Sequence, residues 1–201
     1  MTLYDIKPRF QALLRPLVGR LAALGATANA VTTAALAGSL AVGAGVAFAA
    51  ERRAVFLALP VWLFVRMALN AIDGMLAREH GQKSNLGAFQ NELADVASDA
   101  ALLLPFACVP HFRGLEVAIV AVLAGLTELA GVVAVTIGAS RRYDGPLGKS
   151  DRAFVFGALG LALGFGLPPS APLRAVFPLV GVLLSWTVLR RVRSALVEVR
   201  G

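Results

Sequence analysis

The chain reads as an all-α integral membrane protein, six transmembrane helices preceded by an N-terminal amphipathic interfacial helix. Three observations predict this. Of 201 residues, 58% are hydrophobic and 15% charged, with mean hydropathy +0.74, where a soluble domain carries about 25% charge. The apolar residues gather in runs close to the roughly 20 that a helix needs to cross a bilayer. Lys and Arg fall mainly on one alternate set of the loops between those runs.

The elements follow in order. From Tyr4 to Leu24, Lys7, Arg9, Arg15 and Arg20 interleave with Phe10, Leu13, Leu14, Leu17 and Leu21. That pattern suits a helix lying along a membrane surface, and Pro8 and Pro16 predict its division into two pieces. Spans are expected at about 30–49, 54–78, 87–109, 115–139, 152–167 and 173–192, the fifth short and rich in glycine. One domain over 1–201 results, with 1–26 the interfacial segment and 27–201 the bundle. No internal repeat interrupts it. The mixed polar and apolar start, Met1 to Arg20, does not resemble a cleavable signal peptide.

Charge sets the orientation. One set of loops holds Lys7, Arg9, Arg15, Arg20, Arg78, Lys83, Arg141, Arg142, Lys149, Arg152, Arg190, Arg191, Arg193 and Arg200; the other holds Arg52, Arg53, Arg113 and Arg174. This bias puts both termini in the cytoplasm. The net charge of +7 is spread between apolar segments and not gathered on one face, which favours anionic lipid over nucleic acid. The lone Cys108 excludes an internal disulfide and is expected to pack as a small apolar residue.

The polar stretch Asn70 to Asp99 stands out against this background. Ionisable groups at membrane depth are costly and usually mark a site. Asn70 and Asp73 share one face of the second span, and Asn91, Asp95 and Asp99 one face of the third. A short connection makes those spans antiparallel, so the two stripes can converge. Carboxylate and amide oxygens without His or Cys suit a hard divalent cation and argue against zinc. Gly74, Ala77 and Gly87 leave room for a close approach, and Arg78 adds a cation able to pair with phosphate. The site then lies at the cytoplasmic end of the bundle. Arg66 and Glu128 are charges set deep in the second and fourth spans, candidates to pair with each other or with the site. His80, His111, Trp62 and Trp186 are expected to take no part in the chemistry.

Asp73-Gly74, Ala77-Arg78, eight intervening residues, Gly87 and Asp95 fall without a gap on the signature of the CDP-alcohol phosphotransferase family, which this chain resembles over nearly its whole length. Asn70 and Asn91 stand where that signature has its first and third aspartates. The resemblance implies that Asn70, Asp73, Asn91 and Asp95 hold Mg²⁺ or Mn²⁺, with Asp99, one turn further along the third span, restoring some of the lost charge; Glu92 points about 100° away from Asn91. It implies that Asp95 is also the base that deprotonates the acceptor alcohol. Asn29, Thr32, Asp73, Gly74, Ala77, Arg78 and Gly87 would bind the CDP moiety. Asn29 and Thr32 lie in a segment, Thr27 to Thr32, that can equally be a helix cap. Arg142, Lys149 and Arg152 would bind the acceptor, including a phosphate on it, though positive-inside charge also accounts for them.

The implied reaction moves a phosphatidyl-type group from a CDP-alcohol, CDP-diacylglycerol first among them, to a small polar alcohol with release of CMP. Many members of the family are homodimers. Two rival readings remain: a catalytically silent relative that binds CDP-lipids or a partner, which Asn70 and Asn91 keep open, and an ion or solute carrier, which requires a polar path across the bundle.

Overall fold

A computed structural model describes residues 3–200, with side chains from residue 8 onward; Met1, Thr2, Gly201 and the side chain of Lys7, one of the cations used for orientation, lie outside it. The described residues form helices and no strand. In order these are α1 (Leu3–Ala23), α2 (Ala28–Phe48), α3 (Ala58–Glu79), α4 (Asn85–Leu103), α5 (Gly114–Thr136), α6 (Lys149–Gly164), the short α7 (Ala171–Arg174) and α8 (Val176–Arg200). Turns of 3₁₀ helix, Arg53–Leu57 and Leu104–Cys108, lead into α3 and out of α4.

Among the described residues four segments are long and apolar enough to cross a membrane: Ala28–Phe48, Arg53–Glu79, Gly114–Thr136 and Ala171–Arg200. Large apolar side chains such as Phe48, Val61, Phe64, Val122 and Val182 cover their outer faces, as hydrocarbon surroundings require. Inside, Phe56, Phe106, Phe112, Phe156 and Phe177 meet edge-on or tilted, with centroids 5.3 to 6.0 Å apart, and close the end of the bundle away from the polar cluster. α4 carries Glu92, Asp95 and Asp99, and α6 has 16 residues; both are built into the bundle by packing and ion pairs.

Helix α2 packs against α3 on one side and α4 on the other, while α5 packs on α4 and α8, and α6 on α3. Both α3 and α4 lie closer to α2 than to each other, so the two polar stripes face across a gap and not along a contact. The gap is what becomes a cavity.

Two local expectations are corrected. α1 runs unbroken through Pro8 and Pro16; both rings stand on its exposed face, and Val18 is fully buried against Ile72, Met75 and Leu76. Cys108 is exposed on its 3₁₀ turn instead of packed inside, because Pro105 ends α4 early and turns the chain.

Candidate functional site

The helix ends that frame the gap are tied down by local polar contacts. Thr27 caps α2, its hydroxyl accepting from the Ala30 N–H at 3.1 Å, and Ser84 caps α4 through the Gly87 N–H at 3.0 Å. Gln82, in the α3–α4 connection, accepts from the Ala28 N–H at 2.7 Å and donates to the Ala26 carbonyl at 3.2 Å. Gln90 donates to the Asn29 carbonyl at 3.1 Å and to the Thr33 hydroxyl at 2.6 Å. These two glutamines lock the start of α2 to α4. Neither shows a motif in sequence; amide side chains bridging loop and helix declare themselves only once the partners are near.

Between α2, α3 and α4 lies a cavity of about 670 Å³. All seven residues expected to bind the CDP moiety line it: Asn29, Thr32, Asp73, Gly74, Ala77, Arg78 and Gly87. A methyl group at Gly87 would sit 2.6 Å from Asn29 Oδ1 and 2.9 Å from Ser84 Oγ; at Gly74 it would sit 3.0 Å from the Arg78 guanidinium, which folds back over that position. Both glycines therefore serve close approach. Asp73 is buried, and the Thr32 hydroxyl donates to its Oδ2 at 2.9 Å. Among the described residues it has no ion-pair partner. A buried carboxylate satisfied by a single hydroxyl has oxygen capacity left for a cation.

A second cavity, of about 400 Å³, opens between α4 and the loop entering α6, with Asp95, Glu128, Lys149 and Arg191 in its wall. The two cavities share Asn70, Asn91 and Arg141. The asparagines thus stand on the partition, with Asp73 on one side and Asp95 on the other.

Around the second cavity Asp95 and Glu128 both meet bases. Lys149 pairs with Asp95 Oδ1, and Arg66 donates to the Asp95 carbonyl at 3.1 Å and to its Oδ1 at 3.3 Å. Asp99 lies one turn deeper, outside both cavities. Arg66 holds its Oδ1 at 2.5 Å and Arg152 its Oδ2 at 2.6 Å, so the oxygens expected to add charge to a metal site are taken up by arginines. Glu92 does reach the partition, where it pairs with both terminal nitrogens of Arg141. Arg66 and Glu128, the two deep charges, do not pair with each other; Glu128 takes Arg152 at 2.9 Å.

Of the three basic residues expected at the acceptor, Lys149 lines the cavity and Arg152 lies behind it, while Arg142 turns away to Asp144 at 2.7 Å and Glu198 at 2.6 Å. Its neighbour Arg141 points inward instead and stacks over Tyr143, 5.1 Å from the ring centre. Arg191, also unassigned in sequence, is buried and donates to the Thr127 carbonyl and, at 3.1 Å, to the Asp144 carbonyl. A signal for it existed: Phe177, Val180, Leu184, Thr187, Arg191 and Ala195 recur at three- and four-residue steps on the buried face of α8. Which of the adjacent Arg141 and Arg142 turns inward has no such signal. Asp151 caps α6 by accepting from the Gly148 N–H at 2.9 Å.

Residues 26–188 match the family model for CDP-alcohol phosphatidyltransferase. The chain is 47% identical over 196 residues to the inner membrane protein YnbA of Escherichia coli (strain K12), covering 98% of this chain and 97% of that protein. Its fold is similar to that of Mycobacterium tuberculosis phosphatidylinositol phosphate synthase with CDP-DAG bound, with TM-score 0.74 and 21% identity over 90% of this chain and 92% of that one. The same synthase in complex with manganese and citrate gives TM-score 0.74 and 20% identity over 90% and 88% of the two chains.

Proposed function

The chain belongs to the CDP-alcohol phosphatidyltransferase family and is a CDP-alcohol phosphotransferase, and from that premise we propose that it moves the phosphatidyl group of CDP-diacylglycerol to a small polar alcohol, releasing CMP, at the cytoplasmic face of a bacterial inner membrane. The observation that carries this reading is the partition itself. Two cavities meet at Asn70 and Asn91, one lined by the whole expected CDP-binding set and the other by Asp95. Donor and acceptor held on either side of that wall would bring their reacting atoms together, which is the main requirement of a displacement at phosphorus.

In this reading Asn29, Thr32, Gly74, Ala77, Arg78 and Gly87 seat the nucleotide diphosphate, with Arg78 pairing to its oxygens. Asn70, Asp73, Asn91 and Asp95 would hold a divalent cation, Mg²⁺ or Mn²⁺; their hard oxygen donors and the spare capacity of Asp73 fit one. Such an ion, when bound, supplies neutralisation of the diphosphate and of the charge developing on CMP. Asp95 takes the proton from the acceptor hydroxyl as general base, and Lys149 and Arg66 hold its carboxylate in the second cavity. Asp99 is assigned to anchoring Arg66 and Arg152 and not to the cation.

One domain with six spans fits the same picture. α4 and α6 turn Asp95, Asp99 and Arg152 toward one another within the bundle, so their polar groups need not meet lipid and both helices can cross. α1, with Arg9, Arg15 and Arg20 beside an apolar face docked on α3, lies along the interface, and both termini face the cytoplasm.

Purified protein given CDP-diacylglycerol, a divalent metal and a panel of small alcohols tests the proposal. CMP should appear only when metal and an acceptor are both present. Tight CDP-lipid binding without CMP release under any acceptor would identify a silent relative instead.

A further inference from the structure

The acceptor cavity carries an internal anion where a phosphate would have to sit. Glu128, buried in the middle of α5, faces three guanidinium groups: Arg152 at 2.9 Å, Arg191 at 3.7 Å and Arg141 at 3.8 Å. Lys149 is engaged by Asp95, and Arg141 has Glu92 as a second partner. In the cavity wall Arg141, Lys149 and Arg191 stand against Asp95 and Glu128, while Asp151 is engaged by the Gly148 N–H. A phosphorylated acceptor needs several N–H donors that are free to turn to it, and here it would arrive beside a carboxylate that already holds them. An uncharged polyol displaces nothing. Its hydroxyls can accept from the guanidinium edges and donate to the carboxylates, within a space of about 400 Å³.

We propose that the acceptor is an uncharged polyhydroxy alcohol carrying no phosphate, and that Glu128 determines this choice by standing in for the anion among Arg141, Arg152 and Arg191. The inference rests on the assignment of the second cavity to the acceptor, and reverses the preference for phosphate that Lys149 and Arg152 suggest in sequence.

The test pairs each alcohol with its own phosphate ester: glycerol against glycerol 3-phosphate, and inositol against inositol 1-phosphate, with CDP-diacylglycerol and Mg²⁺, reading CMP. Wild-type protein should favour the uncharged member of a pair at least tenfold. Calorimetric titration with inorganic phosphate should give no binding to wild type and measurable binding to Glu128→Gln, with acceptor preference moving at least tenfold towards the ester. Glu128→Asp, which keeps the charge, should still exclude phosphate. Preference of the wild type for the esters, or phosphate binding equal in wild type and Glu128→Gln, would overturn the inference. If Glu128→Gln does not fold, the wild-type pairs and the wild-type titration decide alone. Absence of CMP with every acceptor would count against the proposed reaction, while phosphate titration would still judge the role of Glu128.

Discussion

Arg66 on α3 and Asp99 on α4 meet at 2.5 Å across the gap that separates their backbones, and Arg152 of α6 reaches the second oxygen of the same carboxylate at 2.6 Å. One acid therefore joins three helices. Removing it takes one carboxylate from each of two buried guanidinium groups, which keep Asp95 and Glu128 respectively, and losing a hydrogen bond to a charged group costs about 1.5–3 kcal/mol. Asp99→Ala is expected to lose stability of that order in denaturant unfolding of the detergent-solubilised protein. Metal titration of the fraction that remains folded should be unchanged, because Asp99 is assigned no part in holding the cation.

Asp73 and Asp95 should respond differently from Asp99. Asp73 has a single hydroxyl donor, Thr32, so Asp73→Asn is expected to change stability by no more than about 1 kcal/mol. It should weaken Mn²⁺ binding, and CMP release should drop about a hundredfold or more, since several kcal/mol of charge stabilisation are lost. Asp95→Asn is expected to abolish turnover in a folded protein. Near-normal CMP release from that variant would remove Asp95 from the role of base.

At Gly87 the first turn of α4 lies against Asn29 in the first turn of α2. A methyl group there would meet Asn29 Oδ1 at 2.6 Å; Gln90 holds the Asn29 backbone carbonyl, so the Asn29 side chain must swing aside. Gly87→Ala is expected to displace Asn29 at a cost of about 1–3 kcal/mol, typical of overpacking. It should appear as a raised KM for CDP-diacylglycerol with little change in KM for the acceptor. Equal effects on both would place the strain elsewhere.

Acid should loosen the loop between α5 and α6. Asp144 accepts two hydrogen bonds from Arg142, and these hold its carboxyl below the usual carboxylate range. A depressed carboxyl adds stability above its unfolded pKa, about 3.9, which is lost as pH falls through its folded value. Thermal melts of wild type and Asp144→Asn should therefore differ at pH 6, with the wild type more stable, and converge as the pH is taken below about 4. A gap that stays constant with pH would show that the contact is not what Asp144 contributes.

The helices and the facing of Asp73 and Asp95 toward one region were legible in the chain because hydropathy and helical periodicity are local properties, summed over neighbouring residues. The same holds for Gly74 and Gly87, whose close contacts lie at the helix faces their spacing indicates. The partners of Asp99, Glu92 and Glu128 were not legible. Each pairs with an arginine 24 to 53 positions away on another helix or loop, and helical faces alone do not specify which long side chains from different elements converge.

Sequence by itself therefore determined a membrane-embedded helical chain with a phosphotransferase signature at one end of its bundle. Tertiary structure alone decided that α2 would hold α3 and α4 apart around two adjoining cavities, that Arg141 and not Arg142 would turn inward, and that Glu92, Asp95, Asp99 and Glu128 would be neutralised from within. The reason is range: a side chain's face is set by its own turn of helix, whereas its charge is balanced by whichever distant residue the packing brings within a few ångströms.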